Sequence, residues 1–388
     1  MVKEKNKKFV ILSGISIILV MMGHLDLNLL TLGGFLPYYS YHVMLFVFIS
    51  GYFYNPEAEN HILNYIKRKI LHLLLPYTIW NVIYGLFITV IHKSSLGVWF
   101  GEDISFFNLL IAPFTSGHQY MLHAASWFVP ALFLLQLCNL LGRCLLSFIE
   151  RKFLFSPFTK KDNTSTWYQN NREYIIALLY FFIGFAVVFL AKRGSVYDFY
   201  KLPGRLMLMA PIYQLGRLYK SNLEKKDTLP SILYFAILFI LQFVVIRYTG
   251  GSVNYSVVWV TGFANGVFMP YITSIIGIMF WLRIAKLLTK LPSFPILTWI
   301  GEHTFSIMMH HLFGFFLFNS MLYYFHKNLG QFPLFDIATY QGDIYYTYCS
   351  SGGNKLWYIL YIAIGLFIAY ILDKLAQILY RTIRHMKS

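Results

Sequence analysis

The chain has 388 residues, of which 57% are hydrophobic, 19% aromatic and only 12% charged, and it carries a formal net charge of +16. A soluble domain of this length needs a far more polar surface, so the composition excludes one and points to an integral membrane protein. Cys138, Cys144 and Cys349 are too few and too scattered for a disulfide framework or a thiolate metal site.

Apolar runs near the ~20 residues of a spanning helix recur at 9–30, 36–54, 70–92, 126–148, 173–191, 203–219, 229–248, 257–282, 296–322 and 356–378. They predict an all-α integral membrane fold of about ten transmembrane helices, organised as one membrane-embedded domain over 1–388. The first run follows Lys3, Lys5, Lys7 and Lys8, as in a secretory signal. It continues into Met21-Met22-Gly23-His24-Leu25-Asp26 without a small-x-small cleavage site, so it reads as a retained anchor. His24 stands about fifteen residues into this run. An ionisable group there costs roughly 2.5 kcal/mol or more when charged, and normally faces the bundle interior with a partner. That makes His24 the leading candidate for chemistry.

In the second run His42, Phe46 and Ser50 share a helix face. Taken alone His42 reads as a packed or interfacial histidine. The third run follows Lys67, Arg68 and Lys69, and places His72, Pro76 and Trp80 on one face. Pro76 removes a backbone donor and predicts a kink. The cations beside His72 are either ordinary topology anchors or the mouth at which a polyanionic donor enters. In the ninth run Glu302, Ser306, His310 and Gly314 recur every fourth residue, predicting a narrow polar stripe toward the interior. His311 lies about 100° from that stripe, so only His310 of the adjacent pair is expected on it.

With the lysine-rich amino end inside, 24 of the 32 basic residues fall on the cytoplasmic side and 8 outside. This asymmetry is the positive-inside pattern, with both termini cytoplasmic, and it explains the net charge without nucleic acid. The expected location is a cell membrane crossed many times, most simply a bacterial plasma membrane. Two outer segments, about 93–125 and 323–355, are rich in aromatics such as Trp99, Tyr120, Tyr340, Tyr345 and Tyr346. Such residues suit a membrane interface or stacking on sugars.

Five segments taken in order, 14–24, 42–52, the basic run into 75–80, 126–133 and 300–310, resemble the acyltransferase 3 family of multi-pass membrane acyltransferases, which includes glycan O-acetyltransferases. The resemblance extends over nearly the whole chain. One departure is clear: the family commonly has a cation eleven residues before the first-span histidine, and this chain has Ser13. The resemblance implies an acyl group, most simply acetyl, passed from cytoplasmic acyl-CoA to a hydroxyl of an extracytoplasmic glycan or glycolipid. Acetyl-CoA is then a co-substrate rather than a resident cofactor, and the partners are acyl-CoA, the envelope acceptor and membrane lipids.

In that setting His24 suits general-base work, or an acyl-histidine relay, with Glu302 and His310 as further catalytic candidates. Lys67, Arg68, Lys69 and His72 would hold the donor, while His42, Ser50, Asn81, Trp127 and Ser306 would contact substrate or the developing oxyanion. The alternative reading is a carrier or flippase of an envelope glycan precursor, against which stand the lack of an internal repeat and the scarcity of interior carboxylates.

The charge distribution generates a direct test of sidedness. In a cysteine-free background, a cysteine at Lys225 should react with an impermeant maleimide only from the cytoplasmic face, and one at Asp343 only from outside. The reverse pattern would invert the topology.

Overall fold

The computed structural model describes residues 6–27, 29–94, 96–99, 104–115, 120–153, 163–292, 294–349 and 356–385. Lys3, Lys5, Lys160, Lys161 and Lys387, counted above as cytoplasmic cations, lie outside the described residues. Helices carry the fold: α1 Lys7–His24, α2 His42–Tyr52, α3 Ile62–His92, α4 Phe128–Phe153, α5 Asn163–Lys192, α6 Lys201–Leu218, α7 Ser231–Thr249, α8 Met269–Leu288, α9 Pro295–Glu302, α10 Thr304–Leu329, α11 Ile337–Gly342 and α12 Leu356–His385. Among the described residues no strand forms beyond one bridge between Ser256 and Thr261. An all-α multi-pass membrane fold follows directly, because a backbone inside lipid must satisfy its own hydrogen bonds.

Eight helical stretches are long and apolar enough to cross a bilayer among the described residues. The other two of the ten apolar runs are helical but fall short. Left-handed residues at Leu32, Gly33 and Gly34 delay α2, leaving it 11 residues, and α6 carries Lys201, Arg205 and Arg217. Run boundaries shift as well. α1 stops at His24 rather than running to 30, since Asp26 turns left-handed (φ 49°). α8 begins only at Met269, after Val260, Gly262 and Gly266 at positive φ. The ninth run is broken at His303 (φ −113°, ψ 22°), which separates α9 from α10. In α3 a π turn over Ile70–Leu74 directly precedes Pro76. The missing proline N–H and the clash of its ring are absorbed there by a widened turn.

Two contact-defined units make up the chain. One comprises Met1–Leu30, Pro76–Phe128 and Ala285–Ser388; the other comprises Thr31–Leu75 and Val129–Ile284. In the first, α1 and α9 touch backbone to backbone. A Cβ on Gly301 would lie 2.0 Å from the Val10 carbonyl oxygen, and one on Gly14 would lie 2.8 Å from that of Leu297. α10 and α12 meet in the same way, Gly314 against Gly365 at 2.8 Å. In the second unit a Cβ on Gly51 would sit 1.8 Å from the Tyr213 carbonyl oxygen, and one on Gly216 would sit 2.0 Å from that of Phe48, joining α2 to α6.

The second unit also buries a guanidinium. Arg143, 1% exposed, donates through Nε to Glu59 (2.9 Å), through Nη2 to Glu173 (2.6 Å) and through Nη1 to Gln214 (3.4 Å), and lies over the Tyr54 ring. Removing one member of such a set typically costs about 3–5 kcal/mol, because the remaining charge is left buried and unpaired.

The glycine contacts set up a comparison. Gly216→Ala should lower stability in detergent by about 1–3 kcal/mol, because the new methyl meets backbone that must move. Gly142→Ala, whose Cβ would find only the Tyr180 hydroxyl at 3.9 Å, should be neutral or mildly stabilising. Thermal scans giving equal transitions for both would remove the close-packing account.

Candidate active site

The first unit gathers its polar side chains at two neighbouring points of α10. α1 runs without an internal proline from Lys7 and buries most of its surface, including Leu19, Met21, Met22 and Gly23. His24 is its last helical residue and is half-buried. The Nδ1 atom of His24 lies 2.8 Å from His311 Nε2, and the two rings stack with centroids 5.0 Å apart at 7°. His311 Nδ1 donates to the Ile307 carbonyl one turn back in α10 (2.7 Å). The Tyr345 ring lies 5.3 Å from that of His24, tilted by 34°.

His310, one residue earlier, faces a different set. Its Nδ1 is 2.8 Å from the Tyr84 hydroxyl, and the Trp80 ring meets it edge-on at 4.2 Å. The Tyr84 ring stacks on His123 (4.8 Å, 21°), and His123 Nδ1 lies 2.5 Å from Ser126 Oγ. α3 places Trp80 and Tyr84 on one face by their four-residue spacing. His123 and Ser126 share the short segment Met121–Trp127, whose backbone kinks at His123 (φ −132°, ψ 33°). All of these residues but Trp80 are buried, so the set forms a second, internally bonded histidine cluster.

These positions correct the predicted stripe. His310 and His311 are both fully inside, at 1% and 0% exposure, and it is His311 that meets His24. α10 is buried on several faces, so a residue 100° off the stripe is still interior. Glu302 is exposed at the end of α9 and is separated from Ser306 by the break at His303. The stripe therefore loses its first member. Ser306 donates its hydroxyl proton to the Ala369 carbonyl (3.1 Å), tying α10 to α12. Asn81 donates to the carbonyls of Leu109 (2.9 Å) and Asn108 (3.4 Å). Trp127 is buried beside Phe128. Ser306 and Asn81 thus each tie their helix to a neighbouring segment through a backbone carbonyl.

The remaining predicted residues belong to the second unit. His42 is half-buried, donates through Nδ1 to the Tyr38 carbonyl (2.8 Å) and is flanked edge-on by Tyr38 and Tyr39, the environment of a packed histidine. Ser50 is half-buried on α2. Lys67, Arg68 and His72 are exposed, while Lys69 is half-buried over the Tyr65 ring. Of these four cationic candidates, only Arg68 lines the half-open cavity of about 340 Å³ formed with Asn55, Glu57, His61, Asn64 and Tyr65.

Sequence reasoning set His311 aside and missed Tyr84, His123 and Ser126, while Tyr345 was singled out only as one of several aromatics. The aromatics of the 323–355 segment divide in the structure. Tyr340 and Tyr348 are buried against Phe335, whereas Tyr345 remains half-buried over His24.

Comparison with known proteins supplies the class. The family model described as an acyltransferase domain, Acyl_transf_3, matches residues 11–374. The chain belongs to that family, and it is a multi-pass membrane acyltransferase. No curated protein and no solved structure matches it.

Proposed function

We propose that the protein is a membrane O-acyltransferase that moves an acyl group, most simply acetyl, from cytoplasmic acyl-CoA to a hydroxyl of an extracytoplasmic glycan or glycolipid. The observation that carries this reading is the half-buried His24, held at the end of α1 by a ring partner within a chain of the acyltransferase family. A neutral imidazole of His24 takes the proton of the acceptor hydroxyl as its oxygen attacks the thioester carbonyl. The tetrahedral intermediate then collapses, the carbon–sulfur bond breaks, and the imidazolium returns the proton to the CoA thiolate. Protons and atoms balance, and CoA leaves as the thiol.

Arg68 at the polar cavity, with Lys67, Lys69 and His72 nearby in sequence, supplies the positive charge suited to nucleotide phosphates. Glu302 and His310 remain the further catalytic candidates. The aromatic surroundings of Tyr345 suit a sugar acceptor, whose apolar ring faces stack on such side chains.

His24→Ala and His24→Gln should both abolish acyl transfer in purified protein or membrane vesicles while leaving insertion and thermal stability near wild type. An amide forms a hydrogen bond but accepts no proton. Mass spectrometry of envelope glycans from cells with and without the chain identifies the acceptor, and a variant at full activity would remove His24 from the mechanism.

Replacing Arg68 and Lys69 by Gln should raise the KM for acyl-CoA roughly tenfold or more, since each charge-assisted contact is worth about 1.5–3 kcal/mol. A short acyl thioester lacking the nucleotide should be nearly unaffected. Equal losses with both donors, or none with either, would make the cluster a topology anchor only.

A further inference from the structure

The hydrogen bonds around His24 run in one direction. A carbonyl oxygen only accepts, so the 2.7 Å contact between His311 Nδ1 and the Ile307 carbonyl requires the proton on His311 Nδ1. A fully buried position within α10 tolerates the neutral ring far better than an ion. In a neutral ring with the proton on Nδ1, Nε2 carries the lone pair and accepts. The contact of 2.8 Å between His311 Nε2 and His24 Nδ1 is therefore donated by His24. A neutral His24 with its proton on Nδ1 has its lone pair on Nε2.

We infer that His311 is a positioning residue: the chain from the Ile307 carbonyl through His311 to His24 fixes the tautomer of His24 and aims Nε2, not Nδ1, as the proton acceptor. The inference rests on His24 being the general base proposed above. Free histidine favours the opposite tautomer, with the proton on Nε2, so without His311 most of the His24 population would hold its proton on the nitrogen that must accept one. The parallel stacking at 7° adds orientation, since rotation of the His24 ring would break both the stack and the hydrogen bond. His311 is itself held in place. Its own Cβ would be 3.4 Å from a Cβ built on Gly365, where α10 meets α12. This resembles the way a partner on the second nitrogen fixes which ring nitrogen works in metal and triad sites.

The test uses three substitutions and one spectroscopic measurement on the full chain in lipid. Glutamine keeps an acceptor near the place of Nε2, asparagine reaches only as far as Nδ1, and leucine has none. His311→Leu and His311→Asn should lower kcat by roughly 10–100-fold, the range found for partners that orient a working imidazole. KM for the acyl donor should change by less than about threefold, and His311→Gln should recover most of the loss, because the acceptor is what matters. A merely structural role would follow side-chain volume, favouring leucine and leaving glutamine no better.

Nitrogen-15 spectra of histidine-labelled protein, with His24→Ala and His311→Gln used for assignment, should show both His24 and His311 protonated on Nδ1 in the wild type. This readout does not depend on activity and stands even where the leucine variant fails to fold. A His24 protonated on Nε2, or a His311→Leu enzyme with wild-type kcat beside an inactive His24→Ala, would overturn the inference while leaving the general base in place. Full activity of His24→Ala would instead remove the reading on which it rests.

Discussion

Helices in lipid gain little by hiding apolar side chains from one another, so they associate where backbones approach closely enough for dispersion and weak polar contacts to accumulate. Here that approach occurs at glycines. Gly14 and Gly301 join α1 to α9, Gly314 and Gly365 join α10 to α12, and Gly51 and Gly216 join α2 to α6. Gly365 has a further part. A Cβ placed on it would lie 2.9 Å from Phe315, 3.0 Å from Met21 and 3.4 Å from His311 Cβ. The three helices that bring His24 and His311 together therefore converge on one residue without a side chain, one turn from the ring pair.

Around these contacts every polar side chain has to be accommodated without water. Ser306 does so by bonding to Ala369, Asn319 by bonding to Tyr346 and Tyr361, and Tyr84 by bonding to His310. Each uses a neighbouring helix or the segment before α12 as its partner, so the polar groups double as ties between elements. His24 is different in kind. It is half-buried at a helix end, with a ring partner on one side and an aromatic, Tyr345, beside it. A proton-transfer group needs that combination of fixed orientation and reach toward solvent or substrate.

Much of the fold was readable from hydropathy, because run length and apolarity are the same physical constraint that a bilayer imposes. Helix ends were not readable in this way. The apolar sequence continues past His24 and begins before Met269, but the backbone turns at Asp26 and at Gly262 and Gly266, where left-handed geometry outweighs hydropathy. At the site, His24 was legible as an ionisable residue late in an apolar run, and His311 was not. A single-face argument assumes that a helix has an outside, and α10 buries both histidines. Glu302 departs from the expected stripe for the related reason that the four-residue repeat presumes an unbroken helix, which His303 interrupts. The cluster of Tyr84, His310 and the His123–Ser126 pair combines three elements distant in sequence, a juxtaposition that no local spacing encodes.

The buried guanidinium of the second unit carries a consequence for how the chain is made. Glu59 precedes Arg143 in the sequence, and Glu173 and Gln214 follow it. A ribosome delivers the amino end first, so α4 emerges when only one of its two carboxylate partners exists. Glu59 can neutralise Arg143 at once, which makes lateral entry of α4 into lipid far less costly than for a lone cation. α5 then arrives with Glu173, whose negative charge finds a cation already waiting, and α6 closes the set with Gln214 and Arg217. The order of charges along the chain thus matches an assembly sequence in which each newly synthesised helix meets its electrostatic counterpart from those synthesised before it.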